Sequence, residues 1–550
     1  MFPKVLDTKE RKVGFILLIT CLITGSWLAW RWHQTTTVIM PQVGGEYSEA
    51  LIGKPQTANP LLATADAEFD LSQLTYRGLF KYSKEGKAVP DLAESWQLSA
   101  DGKTYQITLR PDLKWSDGNP LTSYDVAFTF NSLQNSQLNS PRATEFKEVA
   151  VKRIDQRRLN FTLKNPYTPF LGALTIGLIP AHIWEVIPPE KWLSSEAGLK
   201  TVGTGPFRFK DLITGQQGII KTYILEPNPY THTHKPFLQQ ITLKFLPDLA
   251  SALDSLKQGM VQGLGGLDGD SASSLSSQKF SLYDIPLPQY TAIFFNPEQN
   301  EFLKNESLRR ALSYATNRLD LIQELAGNNY RPATGPFVVG ELKNKTANLA
   351  WPFNLESAQK IINEAGYSKN KDNQFFTNKQ GQPLAITLTT VDQNQYLAVA
   401  EQIQKQWSRA GFKVELNVVP TNELQNSIIN NRAYQALLAS EIIGLDPDPY
   451  PFWHSSQAAA PGLNLALFQN HEADTLLTSA RQSRDDKQRQ AQYLRFQEIL
   501  KDDSPAVFLF SKNYIYALSH SLRGVERRLI NQPANRFLDI ENWYTKIIRE

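Results

Sequence analysis

Hydrophobic positions along this chain follow three rhythms. The first is an unbroken run: residues 13–30 are 18 consecutive residues without a charge. As a helix rising ~1.5 Å per residue, the run reaches about 27 Å, close to the thickness of a bilayer core. The second is strict alternation. Tyr105, Ile107 and Leu109 alternate with Thr104, Gln106, Thr108 and Arg110, which predicts a half-buried strand. Asp101-Gly102 supplies a hairpin turn into it from residues 96–98. Leu159, Phe161 and Leu163 repeat the pattern, with Asp155-Gln156-Arg157 as a second turn. Residues 85–200 therefore read as an antiparallel α+β unit. The third rhythm is helical. Leu249, Leu253 and Leu256 share a face after Asp248, an N-cap, and before Gly259, a stop.

The second half of the chain mixes two rhythms. Leu384, Ile386 and Leu388 read as a strand. Val399, Ile403, Trp407 and Ala410 then recur as one face of a helix that Gly411 ends, and Phe412, Val414, Leu416 and Val418 form another strand. This is a βαβ unit, with parallel strands and a right-handed crossover expected. A helix over 422–431 and a strand over 434–440 follow. Directly after that strand comes Gly444-Leu445-Asp446-Pro447-Asp448-Pro449-Tyr450. Ligands of open α/β sheets sit outside the carboxyl ends of strands, so this loop is the binding-site candidate, against the plainer reading of a proline-stiffened surface turn.

The uncharged run sets the address. Lys9, Arg11 and Lys12 precede it, so residues 1–12 stay cytoplasmic and the chain after Arg31 is exported. Trp27, Trp30 and Trp32 stand where an interfacial aromatic belt belongs. A retained single-span anchor is the first reading, a cleaved signal peptide the second, and a lipoprotein signal ending at Cys21 the third. A cut after Ala29 would put bulky Trp27 where a small side chain is needed. Leu18-Ile19-Thr20-Cys21 only loosely fits a lipobox. All three place the body outside the cytoplasmic membrane, with residues 31–41 as a polar linker.

Composition narrows the remainder. With 550 residues the chain suggests about three or four units. Hydrophobic residues at 41% and charged residues at 20% exclude a disordered chain and a polytopic membrane protein. A formal net charge of +3 gives no footprint for nucleic acid. One cysteine allows neither an intrachain disulfide nor a cysteine zinc cage. His-Glu-x-x-His, G-x-S-x-G and phosphate-loop motifs are absent, so no catalytic residue, metal site or cofactor is expected. His232-Thr233-His234 reads as a solvated loop, and Arg309-Arg310 as the solvated face of a helix.

From residue 44 to 512 the chain resembles the extracellular solute-binding proteins of family 5, the peptide and nickel receptors of ABC importers. The resemblance runs through Leu79-Phe80-Lys81-Tyr82, Val89-Pro90-Asp91-Leu92-Ala93-Glu94-Ser95-Trp96, Leu109-Arg110-Pro111-Asp112-Leu113-Lys114-Trp115-Ser116-Asp117-Gly118, Gly203-Thr204-Gly205-Pro206-Phe207, Leu308-Arg309-Arg310-Ala311-Leu312 and Asp446-Pro447-Asp448-Pro449. It implies an α/β, two-lobed periplasmic binding protein-like II fold, preceded by the transmembrane helix. Lobe 1 would be 42–290, with the α+β subdomain at about 85–200; lobe 2 would be 291–510, and 511–550 would return to lobe 1. The chain would cross between lobes near 287–291 and 508–511. The implied protein is a non-enzymatic, monomeric receptor, tethered to the cell membrane. It captures oligopeptides between its lobes and hands them to an ABC permease. A nickel complex or another solute, or a sensing role, are the alternatives. Asp446, Asp448, Glu441, Tyr450 and Ile443 are the ligand-binding candidates. Many peptide binders of the family carry an acidic residue three positions before the Asp-Pro step, where it pairs with the ligand's α-ammonium. Here that position holds Ile443, so Glu441, Asp446 or Asp448 must substitute, or the ligand lacks an amine there.

Overall fold

A computed structural model describes residues 8–36, 39–325, 329–346, 349–369 and 374–549. The two alternating stretches pair as their periodicity predicts. Ala93–Leu98, Thr104–Leu109, Arg158–Thr162 and Ala150–Arg153 lie side by side in a four-stranded antiparallel sheet. Leu98 stands opposite Tyr105, and Tyr105 opposite Phe161. The apolar face of this sheet is buried with Phe130, Phe146 and Phe170. Helix Ser123–Leu133 packs over it, its first turn held by the Thr122 hydroxyl and by the Asp125 carboxylate, which accepts from the Thr122 amide at 2.9 Å.

The main sheet has twelve strands. Its path runs from Lys413–Val419 through Ala385–Val391, Ala436–Ile442 and Gln289–Phe295 to Ala506–Ser519. It continues through Gly263–Leu267, Glu46–Ile52, Gln240–Leu246 and Ile220–Pro227 to Phe207–Thr214. Ala506–Ser519, 14 residues long, is the seam between the two halves. Its beginning pairs with Gln289–Phe295, and its end with Gly263–Leu267 and Phe280–Pro286. Phe280–Pro286 and Gln289–Phe295 are joined by Leu287 and Pro288 alone. Two adjacent chain segments thus carry the sheet from one half to the other.

The βαβ unit forms as expected. Ala385–Val391 and Lys413–Val419 are parallel. Between them helix Asn394–Ala410 buries Val399, Ile403, Trp407 and Ala410, and Gly411 closes it at φ 104°. Two details differ from the periodicity. The helix expected over 422–431 forms, but only its start, Thr421–Glu423, is α-helical, and it widens into a π-helix over Leu424–Ile429. The next strand is Ala436–Ile442, two residues later than the alternation suggests. Arg309 also departs from its expected solvated face. It is buried, and its guanidinium donates to the Asp503 carboxylate at 2.6 Å and to the Leu303 carbonyl at 2.7 Å.

At the N-terminus, Thr8–Thr36 is one helix. Its described apolar side chains, Phe15, Leu17, Leu22 and Ile23 among them, are exposed. The stretch read as a linker is helical as far as Thr36, and Ile39–Gln42 pairs with Lys546–Arg549 as a two-stranded ribbon. Among the described residues no helix is long and apolar enough to cross a membrane. Residues 1–7, Thr37 and Val38, and the side chains of Lys9, Arg11, Lys12, Trp30 and Trp32, lie outside the described residues.

Candidate functional site

The loop after Ala436–Ile442 is placed by that strand's register. Tyr290 lies directly opposite Glu441 in the antiparallel ladder with Gln289–Phe295. Side chains on a strand alternate, so Glu441 and Ile442 go to opposite faces. Ile442 is 64% exposed, and Glu441 only 5%. Glu441 accepts a hydrogen bond from the Tyr290 hydroxyl, which itself accepts from the Trp453 indole at 3.2 Å. Among the described residues its other oxygen has no partner. Burial without a cation pushes this carboxyl well above the usual carboxylate range. Glu441 is thus a buried group that does not line the cavity beyond the strand; it lies within the strand, which continues to Ile442, and its register opposite Tyr290 is what turns it inward.

That cavity measures ≈ 380 Å³. Ile442, Ile443, Gly444, Leu445 and Asp446 form one wall. Gly444, at φ 77°, makes the turn that carries the chain across it. The facing walls come from far away in sequence and include Tyr76, Arg77, Lys81, Tyr82, Arg142 and Tyr167. A second cavity of ≈ 650 Å³ adjoins it, sharing Phe69, Ile442, Asn531 and Gln532. Direct hydrogen bonds span the neighbouring gap. The Leu445 amide donates to Asn531 Oδ1 at 3.0 Å. Arg484 donates to the Ser99 carbonyl at 2.8 Å, and the Thr168 amide to the Arg481 carbonyl at 2.9 Å.

The candidates from sequence therefore divide. Asp446 and Ile443 line the cavity. Asp446 is half-buried and paired with Arg489 at 3.0 Å. Burial raises its carboxyl, and Arg489 offsets only part of that. Asp448 and Tyr450 do not line it. Asp448 is buried and accepts from Arg481 at 2.6 Å. Arg481 lies 4.1 Å over the Tyr450 ring, and that ring stacks on His454. Those residues brace the loop from behind.

Sequence reasoning assigned no role to the residues of the facing walls. Lys81 lies in a motif that was used for resemblance only, and its signal is a lysine between two aromatic core residues, Phe80 and Tyr82. Arg142 pairs with Glu145 at 2.9 Å and Arg77 with Glu541 at 2.9 Å. His232 and His234 diverge, the first bonding Asp91 and the second Asn542. Among the described residues no group of three or more His, Cys, Asp or Glu could hold a metal ion. What the arrangement offers is a polar cavity with charged walls and aromatic flanks, suited to binding a polar molecule.

Comparisons with known proteins show the family and the fold. The chain belongs to the bacterial extracellular solute-binding proteins, family 5, whose model matches residues 87–462. The α/β two-lobed periplasmic binding protein fold follows from its structural relatives. Oligopeptide-binding protein AppA of Bacillus subtilis is 27% identical over 526 residues, 92% of each chain. AppA's structure in complex with a nonapeptide superposes with a TM-score of 0.69 at 25% identity, covering 92% of this chain and 99% of AppA. ABC transporter substrate-binding protein CtaP of Listeria monocytogenes reaches a TM-score of 0.76 at 26% identity, covering 92% and 100%. NikZ of Campylobacter jejuni, solved with Ni(L-His), shares the fold with a TM-score of 0.71 at 24% identity, covering 91% and 99%. The family and these relatives are solute-binding proteins rather than enzymes.

Proposed function

We propose that this chain is an extracytoplasmic receptor that takes a peptide into the cavity between residues 442–446 and the facing walls, and delivers it to an ABC importer. One observation carries the reading. The cavity sets residues 442–446, which end a strand of one half of the main sheet, against Tyr76, Arg77 and Lys81, which follow helix Asp66–Thr75 packed on the other half, and among the described residues two adjacent segments connect those halves. Two crossings make a hinge, and a ligand that touches both halves favours the closed arrangement by its differential affinity for it. The peptide in the complex of its relative AppA supports peptide as the ligand class. On this reading the lobes run over 42–290 and 291–510, with 511–550 returning to the first, and the receptor works as a monomer. Residues 13–30 anchor it in the cytoplasmic membrane. The exposed apolar side chains of Thr8–Thr36 support that anchor, which keeps the receptor near its permease and raises the effective concentration.

A second reading, a non-peptide solute, is favoured by Ile443, which offers no charge to a ligand amine. One experiment separates the two. Full-length protein purified in detergent should release small molecules on denaturation, and mass spectrometry identifies them. Peptides are expected, and re-adding them at a hundredfold over Kd should stabilise the fold by about 2.7 kcal/mol. Recovery of a metal complex or another solute, with no melting shift from any peptide, would replace peptide by that solute.

A further inference from the structure

We propose that the cavity selects ligands carrying a carboxylate and that Lys81 reads it. This deepens the solute-binding reading and rests on it. The argument is one of charge balance on the cavity wall. The other charged side chains there already have partners. Arg142 has Glu145 at 2.9 Å, Arg77 has Glu541 at 2.9 Å, and Asp446 has Arg489 at 3.0 Å. Asp91 is bonded by His232 at 2.9 Å and has Arg77 at 3.9 Å, and Lys81 acts on it more weakly than either. Lys81, half-buried on the strand Phe80–Tyr82, has no ion pair or side-chain hydrogen bond among the described residues. The wall therefore presents an ammonium without a counter-ion, and no carboxylate free to receive a cation. A partly desolvated ammonium gains most from an anion brought by the occupant, and a charge-assisted bond to a carboxylate is the strongest it can form.

The adjoining cavity is different. Among the described residues Lys512 there likewise has no side-chain partner, but Asp66, an acid that has none either, lines the same space. Lys512 is thus the internal control. A peptide can bring a carboxylate on an acidic side chain or at its C-terminus, and the chemistry at Lys81 is the same.

Four pools of random pentapeptides test this on full-length protein: one glutamate or one glutamine at random positions, each as free acid or C-terminal amide. Bound fractions are read by competition and mass spectrometry. On the native chain the glutamate pools should be enriched about tenfold over the glutamine pools if the side chain is read, and the free acids over the amides if the C-terminus is read. Lys81→Met, which keeps the aliphatic stem, should abolish the enrichment while leaving the melting temperature within a degree or two. Lys81→Arg should retain it, and so should Lys512→Met. Equal binding of all four pools, an enrichment that survives Lys81→Met, or one that depends on Lys512 instead, would overturn the role of Lys81 and leave the peptide reading standing. Binding of no pool at all would remove the peptide reading itself.

Discussion

Two buried acidic clusters flank the cavities, and they solve the same problem in opposite ways. In the first, Glu49 and Asp70 share one guanidinium. Arg536 donates to Glu49 at 2.7 Å and grips Asp70 with two bonds of 2.6 and 2.7 Å, while the Tyr516 hydroxyl donates to Glu49 at 2.8 Å. In the second, Glu441 has no cation and keeps company with Tyr290 and Trp453. The first cluster pairs its charge; in the second, burial without a cation favours the neutral carboxyl. Nearness to a cavity therefore says little about whether a carboxylate can serve a ligand, since the counter-charge decides that.

Removing the shared cation should break the contrast most. Arg536→Met leaves two carboxylates buried without compensation, and a loss of about 3–5 kcal/mol in urea unfolding at pH 7 is expected. The first cluster is also pH-dependent. Burial lifts Asp70 to about 6, although Arg536 pulls it down. Its folded pKa lies above its unfolded value, so its contribution is complete below about pH 4 and is lost as pH rises through about 6. The Arg536→Met defect should accordingly shrink at acid pH, where Asp70 takes up a proton. A loss under 1 kcal/mol at pH 7 would mean the network is not what holds this corner together.

The loop carboxylates give a finer test. Asp448→Asn weakens the brace to Arg481 and should cost about 1–2 kcal/mol of stability, with ligand affinity unchanged. Asp446→Asn weakens its pair with Arg489 at a similar cost in stability, but from the cavity wall it should in addition weaken peptide binding about three- to tenfold by isothermal titration. Equal effects of the two on affinity would return the whole Asp-Pro loop to a structural turn.

Much of this frame was legible in the sequence because it rests on local periodicity. The hairpin at Asp101-Gly102, the βαβ unit with its Gly411 stop and the Asp248 cap all formed where the pattern put them. The site was less legible. Alternation located the strand before the loop but ended it two residues early, which left Glu441 in the loop as a candidate ligand contact, whereas it lies in the strand and its pairing opposite Tyr290 makes it a core residue. Asp446 and Asp448 look alike in sequence. Only Arg489 and Arg481, on segments that fold back from more than thirty residues downstream, separate wall from brace. Glu49, Asp70 and Arg536 meet from three distant segments, a contact that no spacing rule encodes.

The smallest effect gives the sharpest test of the comparison. If Glu441 is protonated in the fold, Glu441→Gln replaces one neutral group by another of nearly the same shape, and at about pH 4, where the unfolded carboxyl is largely neutral too, stability should change by less than about 1 kcal/mol. The pH profile should change more. A carboxyl raised by burial stabilises the fold fully below its unfolded value, about 4.5, and loses that stabilisation as pH climbs toward its folded value. The native chain should therefore lose up to about 1.4 kcal/mol per pH unit over that window from this group alone. Glu441→Gln should flatten that slope and leave the Asp70 component, which ends near pH 6, in place. Identical slopes above pH 6 in the two proteins would mean that Glu441 is ionised in the fold, and the two clusters would then differ only in the partner that holds the charge.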